Sequence, residues 1–262
     1  MRGPEVGVVL DSLGQPVKES LRLASRLGLR RIEIPAVTGE VSPESLSQTG
    51  RRHLQRYVAG LGLQLSALGG DLGGSRFGDS SAIEERLDRT RRIIEMAADL
   101  RVPVLTTHLG RFDSNALRRG DLTGVVRELA DMADRTGTFV AFETGGTDPS
   151  EMASLLKQID CEWLGVCYDP ASLLIDGYDP ITSVEPTAGK ILIARARDAV
   201  SGNERRPGHE TPLGHGEVDW ARYLAFLEQS GYNNAAFLRR TESDRPLQDI
   251  ADAKARLEAM LR

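Results

Sequence analysis

Short apolar runs alternate along the whole chain with longer segments whose apolar residues recur at helical spacing. The first run is Val6–Leu10, and a helical segment follows from about Gln15 to Leu27, with Gly28 as its predicted C-cap. The next run, Arg31–Ile34, completes a strand–helix–strand unit of the length of a βαβ crossover. This pattern predicts an α/β protein with parallel strands.

The same unit repeats to the end of the chain, which gives eight predicted strands. The six further strands are predicted at Leu63–Leu68, Val102–Thr107, Thr138–Phe142, Leu164–Tyr168, Ile191–Ala194 and Ala235–Leu238. Eight strands favour closure into a barrel, and the turn after the first strand lacks the glycine pattern of a dinucleotide-binding open sheet. We therefore expect residues 1–262 to form one domain, a single (β/α)₈ TIM barrel.

Three of the predicted helices have boundaries that can be tested. One should begin near Ser42 and Pro43, because serine is a good N-cap and proline is favoured in the first turn. A long helix is expected from about Ser81 to Leu100, and the last one from Leu247 to Leu261.

Composition and charge narrow the class of protein. The net charge of −5 disfavours nucleic acid as a partner, because proteins that bind it usually present a basic face. No apolar run is long enough for a transmembrane helix, and the N-terminus does not resemble a secretory signal. Two cysteines are too few for a secreted disulfide framework. We expect a cytoplasmic protein without membrane or nucleic-acid partners.

Polar residues follow the predicted strands at the end where a barrel builds its active site. In a (β/α)₈ barrel the carboxyl ends of all strands converge on one mouth. In chain order the residues at these ends are Asp11, Glu33, Asp71, His108, Glu143, Asp169, Arg195 and Arg239, with Arg197 and Asp198 just beyond the seventh strand.

Two of these carboxylates are hard to explain by structure alone. Glu143 and Asp169 each end a buried apolar strand, where an ionised group is costly unless it is paired or bound to a metal. For Asp169 a helix N-cap remains an alternative, because Pro170 follows it. His108 is more often a structural residue than a ligand in such a place, and Glu33 could equally face solvent.

Several short strings, taken in order, carry a resemblance to a known family. They are Arg31-Ile32-Glu33-Ile34, Phe142-Glu143, Cys167-Tyr168-Asp169-Pro170-Ala171, Pro212-Leu213-Gly214-His215-Gly216-Glu217-Val218-Asp219-Trp220 and Gly231-Tyr232. Together they resemble sugar isomerases and epimerases of the xylose-isomerase-like superfamily, and they span nearly the whole chain.

The resemblance implies a divalent metal held by Glu, Asp, His and Glu at the ends of the last four strands. Glu143 and Asp169 match the first two ligands, but Arg195 stands at the histidine and Arg239 at the second glutamate. In the family the metal polarises a sugar carbonyl while carboxylates move a proton beside it, through an enediolate. Guanidinium has no free lone pair and cannot ligate a cation.

The charges of these four groups balance without a metal. We therefore expect the two guanidinia to occupy the metal's space and to pair with the carboxylates, and no cofactor is assumed. Mn²⁺, Mg²⁺ or Zn²⁺ stays open as an alternative. In that case Glu143 and Asp169 would be helped by Glu242, through a slipped last strand, or by His209 or His215.

The implied function is isomerisation or epimerisation of a small sugar, sugar acid or cyclic polyol in carbohydrate metabolism. The residues implied are Glu143, Asp169, His108, Arg195 and Arg239 for catalysis, and Glu33, Arg197 and His215 for substrate binding. The arginines would stabilise the developing oxyanion, a carboxylate would move the proton, and His108 would assist.

Two other functions are alternatives for a chain of this type. One is a barrel that has lost its chemistry and binds a small anionic sugar-type ligand without metal. The other is a DNA-repair nuclease, which needs more histidine ligands than the chain's four histidines provide. The resemblance also implies that the protein could form a homodimer, because barrels of this family often pair.

Overall fold

The computed structural model describes residues 4–74, 76–78, 82–112, 121–202 and 206–261. Ten strands lie in these ranges: β1 (Val6–Val9), β2 (Arg31–Pro35), β3 (Gln64–Gly69), β4 (Val104–Thr107), β5 (Phe139–Glu143), β6 (Leu164–Tyr168), β7 (Ile191–Ala196), β8 (Asp198–Val200), β9 (His209–Thr211) and β10 (Ala236–Leu238). Eight of them close into a parallel barrel in the order β1-β10-β7-β6-β5-β4-β3-β2, and β8 pairs with β9 in a separate antiparallel hairpin.

The predicted (β/α)₈ barrel is confirmed. Each of the eight predicted strands coincides with a barrel strand, and their ends agree within two residues. The reason is that strands buried on both faces read as continuous apolar runs, which stand out between amphipathic helices. The hairpin of β8 and β9 was not predicted, because its short strands are partly polar.

Helices surround the barrel. They are α1 (Val17–Arg26), α2 (Gln48–Gly60), α3 (Ile83–Asp99), α4 (Asp121–Thr136), α5 (Pro149–Ile159), α6 (Pro170–Ile175), α7 (Trp220–Gln229) and α8 (Pro246–Met260). The last helix matches its prediction within a residue at each end. Within the described ranges, no helix is long and apolar enough to cross a membrane.

The predicted start of the second helix is wrong. Helix α2 begins at Gln48, with Ser47 as its N-cap, whose side chain accepts the N–H of Gly50 at 3.2 Å. Ser42 instead closes a turn, in which its carbonyl accepts the N–H of Ser45 at 3.2 Å. Serine followed by proline suits a turn as well as a helix start, so the sequence could not separate the two. The predicted start at Ser81 lies outside the described residues.

The barrel interior is filled in layers because side chains alternate along each strand. An apolar layer comprises Val9, Ala67, Val104, Ala141, Cys167, Ile193, Ala235 and Phe237. The residues two positions further along five of these strands are Thr106, Glu143, Asp169, Arg195 and Arg239. A polar layer therefore lies on top of an apolar one, at the carboxyl ends of the strands.

The glycine-rich string before α7 is held by a single carboxylate. Asp198 accepts the backbone N–H groups of Gly214 at 2.7 Å, Gly216 at 3.1 Å and Val218 at 3.2 Å, and the indole N–H of Trp220 at 3.2 Å. A Cβ atom on Gly216 would lie 2.2 Å from Asp198 Oδ1. This string therefore needs glycine for close approach of the backbone to Asp198.

Candidate active site at the barrel mouth

The polar layer is centred on the guanidinium of Arg195, whose residue is 0% exposed. Its Nη1 donates to Glu33 Oε2 at 2.6 Å and its Nη2 to Glu33 Oε1 at 2.8 Å, which is a two-point pairing. Nη2 also donates to Glu143 Oε1 at 3.0 Å. One side chain from β7 thus joins β2 and β5 across the barrel.

Glu33 is enclosed by donors. Besides Arg195, the hydroxyl of Thr106 donates to its Oε1 at 2.9 Å, and Glu33 is only 2% exposed. Both carboxylate oxygens are therefore engaged inside the barrel. The sequence left Glu33 either solvent-facing or substrate-binding, and the structure places it beneath the mouth as the anchor of Arg195.

Glu143 is shared by the two arginines that replace the expected ligands. Its Oε1 accepts from Arg239 Nη1 at 2.9 Å as well as from Arg195. Burial by itself raises the pKa of Glu143, but the charges of Arg239 and Arg195 outweigh burial and hold the pKa well below its usual range. Glu143 is therefore an ionised carboxylate at neutral pH.

Arg239 is the arginine of this group that reaches solvent. Its side chain is 21% exposed, whereas that of Arg195 is 1% exposed. Within the described ranges its Nη2 makes no hydrogen bond and its buried Nε has no partner. Arg239 therefore keeps N–H donors that an oxygen atom in the mouth could accept.

Asp169 has two structural roles. Its Oδ1 accepts the N–H groups of Ala171 at 3.0 Å and Ser172 at 3.2 Å, so it is the N-cap of α6. Its Oδ2 accepts from the Ser172 hydroxyl at 3.0 Å and from Arg197 Nη1 at 3.0 Å. The expectation that Asp169 pairs with Arg195 or Arg239 is wrong, because Arg197 takes that role.

Glu210 on β9 is a second hub that the sequence did not reveal. Its Oε1 accepts from Arg197 Nε at 2.8 Å, and its Oε2 accepts from the Thr241 hydroxyl at 2.6 Å and lies 3.0 Å from Arg240 Nη1. Burial lowers the pKa of Arg197, but Asp169 and Glu210 more than offset it and raise that pKa. The sequence does not point to Glu210, because β9 is only three residues long and shows no apolar pattern.

The three histidines that the sequence singled out are not brought together. His108 Nδ1 accepts the N–H of Gly110 at 2.9 Å, and burial, helped by the nearby charge of Arg76, lowers the pKa of His108. This imidazole is therefore neutral at neutral pH. His215 is exposed and its Nε2 lies 3.0 Å from Arg256 Nη2 on α8, while His209 is exposed on β9.

The donor set at the mouth does not fit a divalent metal. Arg195 and Arg239 offer no lone pair, Asp169 has both oxygens in hydrogen bonds, and Glu143 Oε1 is taken by two guanidinia. The described residues contain no group of three or more His, Cys, Asp or Glu side chains that could hold a metal ion.

Glu242, the alternative ligand on the last strand, does not complete a metal site either. In β10 Leu238 pairs with Ala196 of β7 and with Val8 of β1, so Arg239 follows directly at the end of the strand. The slipped register that would bring Glu242 into the mouth is therefore not observed, and Glu242 is exposed.

The closed parallel barrel defines a (β/α)₈ TIM-barrel protein, and its polar layer at the carboxyl ends of the strands is the candidate active site. The chain belongs to the xylose isomerase-like TIM barrel family, whose model matches residues 21–261. A search among curated proteins finds no significant match.

Solved structures share this fold at low sequence identity. A xylose isomerase domain protein from Planctomyces limnophilus is 20% identical with a TM-score of 0.88, over 99% of this chain and 98% of that one. A xylose isomerase-like TIM barrel protein from Mycobacterium smegmatis, solved with magnesium, is 18% identical with a TM-score of 0.75, over 100% and 97%. D-psicose 3-epimerase from Clostridium cellulolyticum H10, solved with D-tagatose, is 15% identical with a TM-score of 0.74, over 98% and 99%.

Proposed function

We propose that this barrel acts as an isomerase or epimerase on a small sugar or sugar acid, moving a proton next to a carbonyl without a metal. The observation that carries the proposal is the pair of arginines at two expected ligand positions, joined through the carboxylate of Glu143. Membership of the xylose isomerase-like family and the fold shared with an epimerase support the reaction class.

In this proposal the two arginines have different tasks. Arg239 keeps free donors at the mouth and would hydrogen-bond the carbonyl oxygen of the substrate, where negative charge develops. Arg195 is fully buried, so it would act as a positioning residue that fixes Glu143 and, through it, Arg239. A preorganised donor is effective because it needs no rearrangement during the reaction.

A second candidate is binding without turnover. It is favoured by the hydrogen bonds of Glu143 and Asp169, which leave both carboxylates poorly suited to accept a proton. In that case the mouth would hold a small sugar-type ligand through Arg239. The homodimer and the cytoplasmic location stay predictions.

The test is a panel of aldoses, ketoses and sugar acids given to protein stripped of metal with a chelator. Binding is followed by thermal shift and turnover by NMR of the sugars. We expect at least one compound to stabilise the protein and to be converted without added metal, with both effects reduced in Arg239→Gln. Binding without conversion favours the second candidate, and strict dependence on added Mn²⁺, Mg²⁺ or Zn²⁺ contradicts the proposal.

A further inference from the structure

The acidic side chains at the carboxyl ends of the barrel strands differ in whether an arginine side chain holds them. Glu33, Glu143 and Asp169 are each held by at least two side-chain or backbone donors. Asp71 is likewise held, by two N–H groups of Arg76. Asp11, in contrast, is an exposed residue: in the described ranges its carboxylate forms no ion pair and is hydrogen-bonded by the neighbouring backbone N–H of Ser12.

Asp11 is placed beside the arginine that reaches solvent. It lies in the 3₁₀ turn Leu10–Leu13 directly after β1, and β1 pairs with β10, which ends just before Arg239. The next residue, Ser12, ties this turn to the end of β10, because its hydroxyl oxygen accepts the N–H of Arg240 at 3.0 Å. A carboxylate that no arginine holds and a guanidinium with a free Nη2 thus lie at neighbouring strand ends.

The surroundings of Asp11 make it a better proton acceptor than an ordinary aspartate. Partial loss of water raises its pKa, the charge of Arg239 opposes this shift, and the charge of Glu33 adds to it, so the pKa of Asp11 is raised overall. Glu143 has the opposite shift and is therefore the weaker base.

We propose that Asp11 is the base that moves the proton in the reaction, and this rests on the proposed function. Its carboxylate would take the proton from the carbon next to the carbonyl. The electrons of that C–H bond would form a carbon–carbon double bond, and the carbonyl electrons would move to the oxygen, which Arg239 would hydrogen-bond.

The second half of the reaction returns a proton from Asp11, after exchange with solvent at this exposed carboxyl group. The enediolate oxygen takes the proton of the neighbouring hydroxyl, and the protonated Asp11 gives its proton to the former carbonyl carbon, so atoms and charge balance. A single base acts on one face of the substrate, which suits interconversion of an aldose and a ketose. Epimerisation at one carbon would need a second base on the opposite face. The substrate class is therefore an aldose–ketose pair.

The test follows exchange of the carbon-bound proton with solvent. A panel of aldoses and ketoses is incubated in D₂O with the wild-type chain, with Asp11→Asn and with Asp244→Asn, and deuterium in the sugars is measured by NMR. Asparagine keeps the shape of Asp11 but cannot act as the base. Asp244 is an exposed carboxylate outside the polar layer of the barrel and serves as the matched control. Binding of the converted sugar is measured in parallel by calorimetry.

The outcomes separate this inference from the proposed function. We expect the wild type and Asp244→Asn to incorporate deuterium and convert the sugar, and Asp11→Asn to lose at least a hundredfold in rate while its affinity for the sugar changes less than about threefold. Conversion by Asp11→Asn at the wild-type rate would overturn the inference and leave the proposed function standing. No incorporation by the wild type with any sugar would contradict both.

Discussion

A guanidinium that is shut off from water needs partners for its charge, and Arg195 has two carboxylates for this purpose. Glu33 accepts hydrogen bonds from both Nη1 and Nη2, and Glu143 accepts a further one from Nη2. Breaking a buried ion pair by removing one partner costs more than the pair contributes, because the other charge is left without compensation. The stability of the barrel should therefore depend strongly on this one side chain.

Replacing Arg195 with methionine should destabilise the protein by about 3 to 5 kcal/mol, because Glu33 would stay buried without its guanidinium. The measurement is the free energy of unfolding in urea. The control is Arg30→Met, an exposed arginine whose side chain makes no hydrogen bond in the described ranges, and it should change stability by less than about 0.5 kcal/mol. Equal stability of the two variants would show that the buried pair is not what holds the layer together.

The pKa of Glu143 also predicts a pH dependence. Since its folded pKa is lowered, its contribution to stability is complete above the ordinary value of 4.5 and is lost as the pH falls below it. The wild type should lose stability on acidification more steeply than Glu143→Gln, which lacks this group. Urea unfolding between about pH 7 and about pH 3 measures both slopes.

Glu85→Gln, which removes an exposed glutamate, is the control for the acid slopes and should follow the wild type. Parallel curves for the wild type and Glu143→Gln would mean that Glu143 has an ordinary pKa in the folded protein.

Ion pairs at the barrel mouth join strands that lie far apart in the sequence. Two chains of contacts can be followed: one from Glu33 through Arg195 and Glu143 to Arg239, the other from Asp169 through Arg197 to Glu210. The first joins β2, β5, β7 and β10, and the second fixes the β8–β9 hairpin against α6. The loop before α7 is attached to the same hairpin through Asp198.

Gly216→Ala tests this attachment. The new Cβ would lie 2.2 Å from Asp198 Oδ1, so the loop must move away from the carboxylate. We expect a loss of about 1 to 3 kcal/mol in stability and faster hydrogen exchange over residues 212–218. Gly189→Ala, where the added atom meets nothing within 4 Å, is the control. Unchanged exchange in Gly216→Ala would show that Asp198 does not hold the loop.

For the whole molecule, the sequence predicted the barrel because the signal was repeated eight times. It also placed Glu143, Arg195 and Arg239 at the mouth, since the end of a strand can be read from a single apolar run. The predicted pairing of Arg195 and Arg239 with carboxylates holds for Glu143, whereas Asp169 is paired with Arg197. Arg197 and Glu210 come together only through the β8–β9 hairpin, and the partner of Asp169 depends on that contact.

The start of α2 shows that local sequence can also leave a helix boundary undecided. Serine and proline at 42 and 43 suit a turn and a helix equally, and burial of the neighbouring Val41 is consistent with the turn. Asp11 shows the limit for function, because its position after β1 can be read from the sequence but the absence of an arginine partner in the described ranges cannot.

In the proposed function, guanidinia rather than a cation neutralise the carboxylates at the barrel mouth. The most direct measurement is elemental analysis of the protein after chelation and after reloading with Mn²⁺, Mg²⁺ and Zn²⁺, followed by removal of free ions. We predict far less than one ion per chain in every case and a melting temperature unchanged by the chelator. One tightly held ion per chain, lost together with stability on chelation, would contradict the account.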